Sequence, residues 1–179
     1  DSDSSGSTGG MSSCHPLIVE ILPSNIGADD GLEWAKLYNP CPDSVDLSTL
    51  SLGWGGAAFG FAVDLQGSLP AGQCFVIGGP GSDATNAFPT YDQVFNYNPN
   101  LSRDPGAMLL YDVAAAGVNV QTVPIDCVVW GTNSAGYLDP TGGVAPVAAG
   151  NPAIEVSLQR TDETTWATGV PSPADCPTF

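Results

Sequence analysis

A single histidine, five cysteines and 19 acidic residues against three cations are the groups with which this 179-residue chain could do chemistry. Acyl transfer by a Ser-His-Asp or Cys-His set needs an imidazole held between a nucleophile and a carboxylate. His15 instead adjoins Pro16 beside a Ser/Gly/Asp stretch, so no triad is expected and no catalytic residue is assigned. No Gly-x-Ser-x-Gly elbow occurs. Gly79-Pro80-Gly81-Ser82-Asp83-Ala84 imitates a dinucleotide loop, but Pro80 and the sequence after it provide no helix N-terminus for a phosphate. Calcium takes several hard oxygen ligands, and Asp29, Asp30 and Glu33 around Gly31 form the best acidic cluster for it. The competing reading of Asp29-Asp30-Gly31 is a plain polar turn. Asp1-Ser2-Asp3-Ser4-Ser5-Gly6 opens like an EF-hand loop, yet Ser12 stands where the bidentate Glu belongs.

Cys14, Cys41, Cys74, Cys127 and Cys176 lie far apart, with no Cys-x-x-Cys and no neighbouring histidine to complete a zinc set. Disulfides in an oxidising compartment explain them best. Cys127 sits inside the apolar run Ile125 to Trp130 and is expected as the unpaired thiol. Spacing does not fix the connectivity of the other four; the pairing proposed from their positions is Cys14 with Cys176, near the two ends, and Cys41 with Cys74. The formal charge of −16 leaves nothing to neutralise phosphates, so nucleic acid and anionic membrane surfaces are excluded as partners. No run of about 18 apolar residues is present, so membrane insertion is not expected.

The elements that would position these groups read as strands. In Leu17 to Leu22, alternation puts Leu17, Val19 and Ile21 on one face and Ile18, Glu20 and Leu22 on the other. Leu32 to Asn39 places Glu33, Ala35 and Leu37 opposite Trp34, Lys36 and Tyr38, as a half-exposed strand. Val45–Trp54, Phe59–Leu65, Gln73–Ile77, Ala107–Val113, Val118–Val120, Ile125–Trp130 and an alternation from Ile154 to Gln159 continue the pattern. Residues 82 to 103 form a long loop with aromatic anchors, and 137 to 151, rich in Gly, Pro and Ala, read as mobile. No window holds an unbroken helical period. The expectation is an all-β, two-sheet sandwich of about eight short strands over residues 15–179, behind a flexible tether at 1–14.

Trp34, Trp54, Trp130 and Trp166 read first as core and second as a sugar-stacking platform. Arg160 is expected to bridge Glu155 or Glu163. Asn100-Leu101-Ser102 fits a glycosylation sequon and receives no function.

Three motifs in order resemble the lamin-tail domain, an immunoglobulin-like module that also occurs in bacterial exported proteins. Leu17 to Leu22 followed by Glu33-Trp34-Ala35-Lys36-Leu37-Tyr38-Asn39-Pro40 is similar to its opening strands. Leu69-Pro70-Ala71-Gly72 running into Cys74-Phe75-Val76-Ile77, with Leu109-Leu110-Tyr111-Asp112 and Asp126-Cys127-Val128-Val129-Trp130-Gly131, is similar to its later strands. Ser157-Leu158-Gln159-Arg160, then Trp166 and Pro171-Ser172-Pro173, resembles the closing strand and exit of the bacterial members. The family-motif residues are therefore Glu33, Trp34, Leu37, Tyr38, Asn39, Ser157, Leu158 and Arg160. Where the family commonly has a second Glu, this chain has its one lysine, Lys36, free to pair with Glu33 or with Glu20 on a neighbouring strand.

The resemblance implies an immunoglobulin-like sandwich. Together with the tether and cysteines it implies a non-enzymatic interaction or assembly module, secreted or on a bacterial cell surface, with a lipid anchor upstream as a lipoprotein would have. Its partner would be another protein or a second copy of the chain. The rival readings are a carbohydrate-binding module that takes a glycan on the tryptophans, and a calcium-dependent adhesion domain. No cofactor is expected beyond that calcium.

Overall fold

The computed structural model describes residues 14–23, 31–131 and 136–177. In chain order the strands among them are β1 (Leu17–Leu22), β2 (Trp34–Tyr38), β3 (Val45–Asp46), β4 (Ser51–Gly55), β5 (Phe59–Asp64), β6 (Ser68–Leu69), β7 (Cys74–Gly78), β8 (Gln93–Val94), β9 (Gly106–Tyr111), β10 (Asp126–Trp130), β11 (Val147–Ala149), β12 (Ser157–Arg160) and β13 (Trp166–Gly169). They form a six-stranded sheet in the order β13-β12-β1-β2-β7-β8, a five-stranded sheet β11-β10-β9-β4-β5, and a small β3-β6 pair. The fold is an all-β sandwich, consistent with an immunoglobulin-like architecture. Thirteen strands replace the eight expected because several are only two or three residues long, too short to carry a periodic signal.

Between the large sheets lies one core. Ile18, Ile21, Ala35, Leu37, Phe75, Ile77 and Leu158 meet Leu52, Trp54, Met108, Leu110, Val128 and Trp130 from the facing sheet. Burial of each large aliphatic side chain there stabilises the fold by roughly 1.5–3 kcal/mol. Both outer faces are covered as well. Tyr137 and Ala145 pack over Ala107, Leu109 and Tyr111 on the five-stranded sheet, whereas Trp34, Leu22 and Val76 form a cluster with Tyr91 on the six-stranded one. Strand β2 is accordingly buried along its whole length, not half-exposed as its alternation suggested.

Several expectations are corrected in detail. A bulge between Ile18 and Glu20 interrupts the alternation of β1, so Ile18 and Ile21 both enter the core while Glu20 and Leu22 point the other way. The alternation from Ile154 becomes strand only at Ser157, because Ile154 and Glu155 form a turn in which Glu155 has φ 58°. Val118–Val120 is not a strand; a single 3-10 turn at Ala115–Gly117 opens that connection, and β9 pairs directly with β10. The segment 137–151 is ordered by β11 and by a bridge between Leu138 and Val144. Of the four aromatics expected to anchor the long loop, Phe95 and Tyr97 meet Trp54 edge-on at centroid distances of 5.4 and 5.3 Å and Tyr91 packs on the Trp34 cluster, whereas Phe88 is exposed.

The disulfides are Cys14–Cys41 and Cys74–Cys176, and Cys127 is the free cysteine. The four bridged cysteines are those anticipated; the pairing of Cys14 with Cys176 and of Cys41 with Cys74 is overturned. Antiparallel register decides the first bond: Leu17 faces Tyr38, so three residues further out Cys14 comes level with Cys41. Cys74 stands opposite Tyr38 on β7, on the face over which the C-terminal segment passes. By loop-closure entropy, bonds spanning 27 and 102 residues contribute about 3.5 and about 5 kcal/mol. Cys14, the last residue of the expected tether, is thus fastened to the sandwich, while 1–13 lie outside the described residues.

Burial pushes the Cys127 thiol up to about 12, aided by the Asp126 carboxylate. Mass mapping without reductant is expected to return the Cys14–Cys41 and Cys74–Cys176 peptides. Iodoacetamide at pH 8 is expected to label Cys127 only after denaturation.

Candidate functional site

With only three lysines and arginines in the chain, the fate of each is informative, and none is an exposed charge. Lys36 projects from the outer face of β2 and meets Glu20 of β1 at 2.6 Å, with both side chains 2% exposed. The ammonium also donates to the carbonyl of Ser172 at 2.7 Å and to that of Asp175 at 2.5 Å, so its three donors are used. Glu20 Oε1 accepts from the Ser157 hydroxyl, the Gln159 amide and the Ser172 N–H, while Oε2 accepts from the Ser172 hydroxyl. Of the two partners expected for Lys36, Glu20 is the one found. The cluster and the Cys74–Cys176 bond together strap residues 172–176 across the sheet.

Arg160 makes the second interior pair on the opposite, inward face of β12. Its Nη2 meets Asp126 Oδ1 at 2.7 Å, across the two sheets, and Asp126 Oδ2 accepts the N–H of Ile18 at 2.7 Å. The guanidinium lies 5.1 Å from the Trp166 ring centroid, its cross-strand neighbour. The acid bridged is Asp126, not Glu155 or Glu163; Arg160 reaches Glu163 only at its carbonyl, 3.4 Å away. Loss of hydration pushes the Asp126 carboxyl up, against the pull of Arg160 and the Ile18 N–H.

The other motif residues are structural in the same sense. Glu33 is buried and accepts the Leu101 N–H at 2.8 Å. Trp34 Nε1 donates to the Asn86 carbonyl. Asn39 donates to the carbonyls of Asp43 and Leu69 and accepts from the Cys41 N–H, closing the turn after β2. Leu37 and Leu158 are core, Tyr38 is buried beside them, and Ser157 serves Glu20.

A cleft of about 570 Å³ opens at the end of the sandwich beside the second ion pair, lined among others by His15, Asp126, Arg160 and Glu163. A neighbouring hollow of about 290 Å³ shares the last three and adds Cys127 and Trp166. The thiol and the imidazole therefore line different hollows, and the thiol is protonated at neutral pH. All four tryptophans are buried, so none offers an open stacking face. The calcium candidate is not assembled: Glu33 faces inward, Asp29 and Asp30 lie outside the described residues, and among the described residues no three His, Cys, Asp or Glu side chains group as metal ligands.

Missed in the sequence was a recurring Asp-x-Ser/Thr turn. Asp46, Asp83, Asp139 and Asp162 each accept from the backbone N–H and hydroxyl two residues on. These bonds hold the four carboxyls below the ordinary value of 3.8, the Ser48, Thr85 and Thr141 hydroxyls counting most for the first three and the Thr164 N–H for Asp162.

Comparison with known proteins finds no matching family model, no matching curated protein and no matching solved structure. The lamin-tail resemblance rests on the sequence motifs. Two disulfides are compatible with an extracellular setting, and no helix among the described residues is long and apolar enough to cross a membrane.

Cys176→Ser is expected to destabilise the protein by about 2–5 kcal/mol in urea titrations, with Cys14–Cys41 intact. The turn aspartates have folded-state values below the unfolded one, so their contribution is present above pH 3.8 and is lost as pH falls through the folded value. The stability difference between wild type and Asp83→Ala is therefore expected to be full at pH 7 and to vanish towards pH ~2.

Proposed function

We propose that this chain is a non-enzymatic protein-interaction and assembly module of lamin-tail-like type, acting outside the cytoplasm on a bacterial surface and associating with further copies of itself through a sheet edge. What supports the reading is strand β5. It ends the five-stranded sheet with one hydrogen-bonded neighbour, β4, and is the longest of the four terminal strands of the two large sheets. Phe61 at its centre is 51% exposed and stacks at 6.0 Å on Trp54. Lysine and proline, which natural proteins set on such edges, are missing from Phe59–Asp64, whose one charge is the terminal Asp64; a register shift at Gly60, between Phe59 and Phe61, is the one irregularity in its pairing with β4. The same sheet edge is partly closed by Gln93 of β8, which donates to the Asp64 carbonyl and accepts the Gln66 N–H. An open stretch over Phe59–Val63 remains, long enough to pair with the same stretch of a second molecule across a two-fold axis.

The Ser/Gly/Asp composition of residues 1–13 suits a spacer between this module and an upstream lipid anchor. Because each copy carries −16, copies repel, and screening must favour their association. Sedimentation velocity is expected to show a larger oligomeric fraction at about 500 mM than at about 20 mM salt. Phe61→Lys is expected to remain monomeric at both. A wild-type chain that is monomeric throughout overturns the reading.

A further inference from the structure

The loop between β7 and β8 holds one aromatic side chain in water at evident conformational cost. Phe88 is 67% exposed, yet it and Ala87 both occupy the left-handed region, with φ values of 50° and 64°. A bulky residue there is a marked outlier, and two in succession require surroundings that impose them. Those surroundings are dense. Asn86 is fully buried, and its amide donates to the carbonyls of Leu32 and Gly81 and to the Tyr91 hydroxyl. Its side-chain oxygen accepts the Asp83 N–H and its carbonyl accepts the Trp34 indole. The Phe88 N–H returns to the Asp83 carbonyl, and the Ser82 hydroxyl donates to that of Pro89.

The strain therefore secures no packing for Phe88; it fixes the direction in which the ring is presented. A rigid aromatic, displayed without further loss of freedom on contact, is the form taken by residues that dominate protein interfaces. Its electrostatic setting selects the partner. Asp83, whose carbonyl the Phe88 N–H meets, is exposed, as is Asp92 four residues further on, and the chain's three lysines and arginines are buried or half-buried elsewhere. We propose that Phe88 is an aromatic anchor that enters an apolar pocket rimmed by lysine and arginine on a second, basic protein. This contact is separate from the β5 edge and does not depend on it.

The test uses the whole chain and two sets of synthetic peptides, one with apolar residues spaced by lysine and arginine, the other with the same apolar residues spaced by glutamate and aspartate. Fluorescence anisotropy is expected to detect binding of the basic set alone. Phe88→Ala is expected to weaken it about tenfold or more. Phe88→Gly should do the same while raising Tm, since glycine relieves the backbone. Val170→Ala, which trims a still more exposed apolar side chain, should leave binding unchanged. The proposal is overturned if Phe88→Ala binds the basic set as wild type does, if neither set or the acidic set binds, or if Phe88→Gly lowers Tm. It is also overturned if self-association is lost in Phe88→Ala, which would assign the ring to a second copy.

Discussion

The constraint on which this structure depends is scarcity of positive charge. A chain with 19 acids has three lysines and arginines, and two of these are buried at junctions between separate parts of the fold. Arg160 joins the sheets through Asp126, whose second oxygen takes a backbone N–H of β1. Lys36 joins the six-stranded sheet to the C-terminal strap through Glu20 and two carbonyls. Burying an ion pair is expensive in lost hydration, so these pairs do not stabilise the fold relative to well-packed apolar side chains of the same volume. Removing either partner, however, leaves the other as an uncompensated buried charge.

That arrangement has a consequence for the surface. Among the described residues the exposed charged groups are acidic, and two of the apolar side chains that reach water, Phe61 on the β5 edge and Phe88 on the loop after β7, stand in a field that discourages chance contacts with acidic molecules. The screened self-pairing and the basic partner proposed above are both argued from this charge balance. The Asp-x-Ser/Thr turns contribute to it, since hydrogen bonds keep their carboxyls ionised at low pH.

Much of the scaffold was legible in the amino-acid sequence because period-two alternation survives wherever one face is core. Ala35 and Leu37, Phe75 and Ile77, and Val128 and Trp130, each pair two residues apart, all lie on the core side. The alternation misled where a backbone irregularity intervened: the bulge in β1 and the left-handed Glu155 each shift residues without altering composition. The Cys14–Cys41 bond was latent in the hairpin register and became apparent once Leu17 was set against Tyr38. Glu20 was one of two acids within reach of Lys36, and only the fold chose between them. Asp126 as the partner of Arg160, and Asn86 as the hub of the long loop, depend on tertiary approach across 34 and 54 residues, which no local pattern encodes.

A double-mutant cycle on the two interior pairs tests the central claim most directly: Glu20→Gln, Lys36→Met and both together, then Asp126→Asn, Arg160→Met and both together, each followed by urea unfolding. On this account each single replacement costs about 3–5 kcal/mol and the double replacement much less than the sum, giving strong coupling in both pairs. Additive, small losses in both cycles would show that the charges are solvated and that something other than the buried cations fixes the sheets and the strap.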